Sequence, residues 1–162
     1  MVTNKEILRR QVTTSHGMIK RLIDDITDKE ALVTIGNSPN NIVWQTGHLA
    51  FTAILAATVL GGKVRLPDGW MEIFERGAKG IDGVKELPSM KSVRDELYRL
   101  QAEVVALIDA SDDARLDSKV QVTPGWEDTP MNSVLFFAAH DFYHGGQIAL
   151  IRRTLGRQRV FG

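Results

Sequence analysis

The chain has 162 residues, 43% of them hydrophobic and 25% charged, the size and balance of one globular domain (residues 1–162) that can bury its own core. Twenty basic side chains match twenty acidic ones, so the positive field that draws proteins to nucleic acid or to an anionic membrane is missing, and neither is expected as a partner. The absence of cysteine excludes disulfides, thiolate metal ligands and a cysteine nucleophile.

The first residues, MVTNKEILRRQ, lack the apolar core of a signal peptide, and a cytoplasmic protein is the expectation. Thr3-x-x-Glu6 is a capping box. Leu8, Val12, Ser15, Ile19, Leu22 and Ile26 then recur at steps of four and three, which keeps one stripe on one face of a helix that frays near Asp28. His16 lies on the flank of that stripe and reads as structural.

A second helix is predicted from Ser38-Pro39, a cap followed by proline at the first helical position, to the stop at Gly61-Gly62. It is apolar nearly all round, so it must be covered on more than one side, and a dimer interface is one source of cover. Its longest apolar stretch, Leu49 to Leu60, is interrupted by Thr52 and Thr58 and is too short for a bilayer, which needs about 20 residues.

The third helix follows Pro88, with Ser89 or Ser92 as cap and a stripe of Val93, Leu97, Leu100, Val104 and Leu107. The fourth begins at Thr129-Pro130. Ser133, Phe137, His140, His144, Ile151 and Leu155 form its stripe, and Gly156 is its stop. Two long connections separate these helices. Trp70 to Arg76 in the first reads as one short helix, while the second contains Val120-Gln121-Val122 and Pro124-Gly125-Trp126. No strong sheet-forming region appears. Four long striped helices make an all-α protein, a four-helix bundle with antiparallel or crossover connections.

The chemistry concentrates in His140-x-x-x-His144. Residues four apart share one helix face, so the two imidazoles can converge on one ion. Both replace apolar residues in a core-facing stripe, and Gln147 interrupts the same stripe one step on. Three buried polar side chains in a row need partners. A metal would satisfy the imidazoles, and Gln147 either supports the site or bonds across helices.

His48, mid-way along the second helix on a face with Asn41 and Trp44, is the third candidate ligand. Three neutral imidazoles leave open coordination positions, the pattern of a catalytic rather than a closed structural site. Imidazole suits several divalent ions, so the ligands alone do not choose among them.

Around these, Asn41 either orients His48 or caps the helix. Trp44 reads as core packing more than as a substrate platform, although both it and Asn41 belong to the candidate pocket with Gln147. Asp141 points about 100° away from His140 and is expected to pair with a basic side chain. Tyr143 is expected to contact an adjacent helix. Trp70, Phe74 and Trp126 are expected to anchor the long connections rather than roof the site. The arginines at 152, 153, 157 and 159 suit a helix C-terminus for dipole reasons alone.

Asn41 to His48, NIVWQTGH, and His140 to Gly156, HDFYHGGQIALIRRTLG, resemble the two signature regions of the DinB/YfiT-like family. The resemblance runs in order along essentially the whole chain. It implies a four-helix bundle with long crossover connections, often dimeric, with His48, His140 and His144 as ligands to one divalent ion such as zinc, nickel, iron or manganese. It further implies a metal-dependent enzyme acting on a small molecule. Some relatives are transferases or isomerases that use a low-molecular-weight thiol, with a detoxification or stress role, and others are treated as hydrolases. A non-catalytic metal-binding protein is the competing expectation.

Overall fold

The computed structural model describes residues 2–36, 40–75 and 86–161. Its order is α1 (Asn4–Ile23), α2 (Asp28–Ala31), α3 (Ile42–Val59), α4 (Trp70–Phe74), α5 (Met90–Ala110), α6 (Asp113–Leu116), β1 (Val120–Thr123), β2 (Trp126–Asp128) and α7 (Pro130–Thr154). Helix α3 packs on α5 and α7, and α1 packs on those same two helices. Thus α1 and α3, consecutive long helices, face one another across the diagonal, and long connections cross the ends of a four-helix bundle.

The predicted boundaries hold where side chains satisfy the free amides at a helix start. Thr3 and Glu6 form the capping box of α1. Ser89, not Ser92, caps α5, its hydroxyl accepting from the Ser92 amide at 3.1 Å. Thr129 caps α7, with Pro130 next, and Gly156 takes the left-handed conformation (φ 74°) beyond its end.

Three expectations are corrected. Helix α1 stops at Ile23, earlier than predicted, and a second capping box, Thr27 with Glu30, opens the extra helix α2. Ser38 and Pro39 lie outside the described residues, and Asn41 caps α3 instead, its Oδ1 accepting from the Trp44 amide at 2.9 Å. The second connection also contains an antiparallel hairpin, β1 with β2, turned by Gly125 at φ 82°. The short helix of the first connection is present as Trp70–Phe74, and Arg76 lies outside the described residues.

Helix α3 is long and apolar enough to cross a membrane, yet 78% of it is buried inside the protein. Its cover comes from α5, α7, α4 and β1 of the same chain. At the other end of the bundle, the buried Arg152 is ion-paired with Asp25. Arg157 reaches Glu30 at 2.8 Å, locking α7 to the α1–α2 turn. The Arg157 guanidinium pulls the Glu30 carboxyl down to about 2.

Between α1 and α7 the core holds polar groups. The Ser15 hydroxyl donates to Asp141 at 2.7 Å, and the His16 ring approaches the same carboxyl at 3.9 Å. Asp141 therefore pairs with a serine and a neutral imidazole rather than with a lysine or arginine. Burial depresses His16 to about 4 and raises Asp141 to about 7, so below neutral pH the carboxyl offers the ring little counter-charge.

A depressed base leaves the folded state refusing a proton that the unfolded chain accepts. The stability tied to His16 is complete above its unfolded value near 6.5 and is lost as pH falls toward 4. His16→Gln is expected to lose less stability than the parent between pH 7 and pH 4.5, by about 1–3 kcal/mol. Urea midpoints at the two pH values measure this, and parallel losses in both proteins would show that His16 titrates normally.

Candidate metal centre

Helix α7 carries His140 and His144 on one face, and α3 lays His48 against them. One ring nitrogen from each of the three lies within 4.8 Å of the others. His48 and His144 are buried, and His140 is partly so. The Nε2 atoms of His140 and His144 stand 3.1 Å apart, close to the separation of about 3 Å that two nitrogens adopt on one ion with bonds of about 2.0–2.1 Å.

Two of the rings are held from behind. His48 Nδ1 donates to the Phe74 carbonyl at 2.7 Å, which turns its Nε2 toward the other histidines as an unprotonated atom. His144 Nδ1 donates to Gln45 Oε1, and the Gln45 amide donates in turn to Gln147 Oε1 at 2.5 Å. A histidine ligand whose other nitrogen donates to a fixed acceptor is locked in tautomer and orientation. His140 Nδ1 is buried with no hydrogen-bond partner among the described residues.

Burial, reinforced by His48, lowers His140 to about 4. Burial, reinforced by His140 and His48, lowers His144 to about 3. Both are neutral at pH 7, the state that ligates. Packing three imidazoles whose lone pairs face one another is unfavourable without a cation between them, so the donor set fits a divalent ion.

The support reaches into the first connection. Trp44 stacks on His48 with ring centroids 4.8 Å apart, and its Nε1 donates to the Ile73 carbonyl at 2.9 Å. The two successive carbonyls of Ile73 and Phe74 thus clamp α4 onto α3. The Phe74 ring lies over Gly47, where any Cβ would collide with it. Trp70 packs edge-on against Phe74 at 5.5 Å, so these two aromatics anchor the connection as expected.

Trp126 anchors its connection on Phe136 and Phe137 of α7 and also lines a cavity beside His48 and His140. Tyr143 makes no packed helix contact of the kind expected. It is 66% exposed, stands edge-on to His144 at 5.1 Å, and borders a second cavity.

Sequence reading brought together the three histidines, Trp44 and Gln147, but left Asn41 open, and its role is the helix cap. It missed Gln45 and the carbonyl of Phe74. Gln45 had a visible signal, a buried amide three residues before His48 on an otherwise apolar helix. Phe74 acts through a backbone carbonyl, which no side-chain pattern announces.

A family model for the DinB superfamily matches residues 11–148, and the chain belongs to that superfamily. Among solved structures it is similar to YfiT from Bacillus subtilis, described as a probable metal-dependent hydrolase with an unusual four-helix bundle topology. The two share 14% identity over 95% of this chain and 89% of that one, with a TM-score of 0.68, a likeness of fold. No curated protein matches the chain.

Proposed function

We propose that this chain is a metal-dependent enzyme in which His48, His140 and His144 hold one divalent ion. It transfers a low-molecular-weight thiol to a small electrophile in the cytoplasm, in a detoxification or stress role. One observation carries the transfer reading: two cavities of different lining share the walls of His48 and His140. The smaller, about 560 Å³, presents Asn40, Gln45, Tyr143 and Gln147, hydrogen-bonding groups suited to the polar body of a small thiol. The larger, about 830 Å³, is walled mainly by aromatic and aliphatic side chains. A transfer reaction needs room for two organic substrates, one on each side of the reacting atoms.

An ion at the histidines supplies Lewis acidity, which makes a thiol or a water beside it a stronger acid. Everything else falls to the chain. Gln45 and Phe74 hold two imidazoles in register, Gln147 and Asn40 offer hydrogen bonds to the polar substrate, and the aromatic wall excludes water. Hydrolysis is the second reading, favoured by the description of YfiT, which shares the fold; water then takes the place of the thiol. The two cavities beside the histidines weigh against a non-catalytic metal store.

Tyr143 and Leu150, seven residues apart on one exposed face of α7, leave apolar surface that supports a homodimer.

The test begins with metal content by mass spectrometry on protein purified without a histidine tag. About one equivalent is expected, with almost none in a His140→Ala, His144→Ala double variant. The loaded protein is then assayed with monochlorobimane and bacillithiol, mycothiol or glutathione, and separately with activated esters and amides. No bound metal after incubation with zinc, nickel, manganese and iron(II) would end the metalloenzyme reading. Ester or amide cleavage without thiol transfer would favour the hydrolase. Light scattering on the same sample checks the dimer, which a solution mass of 18.0 kDa would rule out.

A further inference from the structure

The two cavities lie toward opposite ends of the histidine trio. Along α3 the polar one is bordered by Trp44 and Gln45 and the other by Phe51, Thr52 and Leu55; along α7 the borders are Tyr143 and Gln147 against Phe136 and Phe137. The larger cavity is closed on its far side by the hairpin, through Thr123, Pro124 and Trp126. Trp126 meets Phe136 edge-on at 5.1 Å and Phe137 at 5.9 Å, and Phe136 meets Phe137 edge-on at 5.7 Å. Each ring thus holds its neighbour in place, yet the Phe136 side chain remains 52% exposed. A large ring fixed by aromatic partners and left uncovered beside a cavity is a ready stacking surface.

One residue of the lining is acidic. Among the described residues, Glu75, directly after α4, is the only carboxylate bordering this cavity, and apart from His48 and His140 no other ionisable side chain borders it. Its backbone is held by the bond from its own amide to the Met71 carbonyl at 2.9 Å. A lone carboxylate beside an aromatic wall attracts cations, tolerates neutral molecules and repels anions.

We propose that this aromatic cavity is the electrophile subsite and takes neutral or cationic aromatic molecules, with Phe136 and Trp126 stacking the ring and Glu75 rejecting anions. The word electrophile rests on the thiol-transfer reading; the selectivity of the cavity does not. Glu75 sets the charge preference, and the histidines at the inner end lie where the ring's reactive substituent meets the second substrate.

Equilibrium binding tests this without turnover. Three probes share one ring and differ in charge: a naphthyl trimethylammonium, 1-naphthalenemethanol and 1-naphthalenesulfonate. The ammonium has no lone pair with which to ligate a metal, and the sulfonate is a weak ligand. Calorimetric titration of the metal-loaded protein is expected to show the cation and the alcohol binding, and the charge of the ion acts alike on parent and variant, so the contribution of Glu75 is read by comparing the two. Glu75→Gln is expected to shift the cation-to-sulfonate affinity ratio toward the sulfonate by about fivefold, while leaving the alcohol unchanged.

Phe136→Ala, at a half-exposed position, is expected to weaken all three, and circular dichroism on the same sample checks that the fold is kept. Saturable binding of none of the probes overturns the proposal, as does a cation-to-sulfonate ratio that Glu75→Gln leaves alone. Probe binding with the expected selectivity, in a protein that transfers no thiol to aromatic electrophiles, supports the cavity and sinks the reaction instead.

Discussion

Replacing Gly47 by alanine is expected to lower the melting temperature and weaken metal binding together, although Gly47 touches no ligand atom. The Phe74 ring occupies the place a Cβ would take, and the obstruction is a rigid ring rather than the end of a flexible chain. The ring has little freedom to retreat, because Trp70 packs on it and α4 is tied to α3 through the Ile73 and Phe74 carbonyls. The added methyl must therefore push α4 outward. Overpacking of this kind costs about 1–3 kcal/mol, or about 3–10 °C in a domain of this size.

The same shift withdraws the Phe74 carbonyl from His48 Nδ1, freeing the ring to turn or change tautomer. Gly145→Ala is the control within the same site. Its Cβ meets the terminal methyl of Met18 at 2.6 Å and those of Ile19 and Leu22 at 3.4 Å. Met18 can swing aside, and alanine gains up to about 1 kcal/mol of helix propensity over glycine. Gly145→Ala is thus expected to melt near the parent and keep its metal. Thermal unfolding with and without chelator separates the two effects. Parent-like metal affinity in Gly47→Ala would show that α4 does not position His48.

These couplings mark where the sequence stopped being readable. The stripes of α1, α5 and α7 were legible because each long helix buries one face, and apolar residues at steps of three and four have no cheaper explanation. His48, His140 and His144 were legible for the opposite reason, as polar residues set in faces that ought to be apolar. The hairpin was not, since strands of four and three residues with a register irregularity between Gln121 and Thr123 carry too little alternation to register as a pattern.

The partners of Asp141 were not legible, because its angle on α7 was clear while the residues opposite it were not. Ser15 stands 126 positions away, and only the packing of α1 on α7 brings its hydroxyl there. Glu75 could not be placed at all, as it lies in a connection whose path depends on the carbonyl clamp on α3. What sequence periodicity reports is which face is buried. What it leaves out is which backbone atoms and distant side chains meet that face, and those are the groups that hold the histidines.

Gln45 is the clearest such group, and its substitution carries the second large expected effect. Gln45→Leu keeps the volume and helix propensity but removes the acceptor for His144 Nδ1 and the donor to Gln147. The His144 N–H is then buried without a partner, a loss of about 1–3 kcal/mol in the metal-free protein. The ring also loses the bond that directs its Nε2 toward His140 and His48, so the affinity for the ion is expected to fall about 10- to 100-fold.

Gln45→Glu separates the two causes. A carboxylate still accepts from His144 Nδ1 and, being charged, makes the imidazole a stronger donor to a cation. The Gln147 amide can rotate to present its nitrogen to the new oxygen. Affinity in this variant is expected to equal or exceed that of the parent, measured by competition with a chromophoric chelator. If Gln45→Leu binds the ion as the parent does, the amide is packing only, and the orientation of His144 must come from α7 itself. If both variants lose the ion alike, the site needs the shape of the Gln45–Gln147 pair rather than an acceptor at His144.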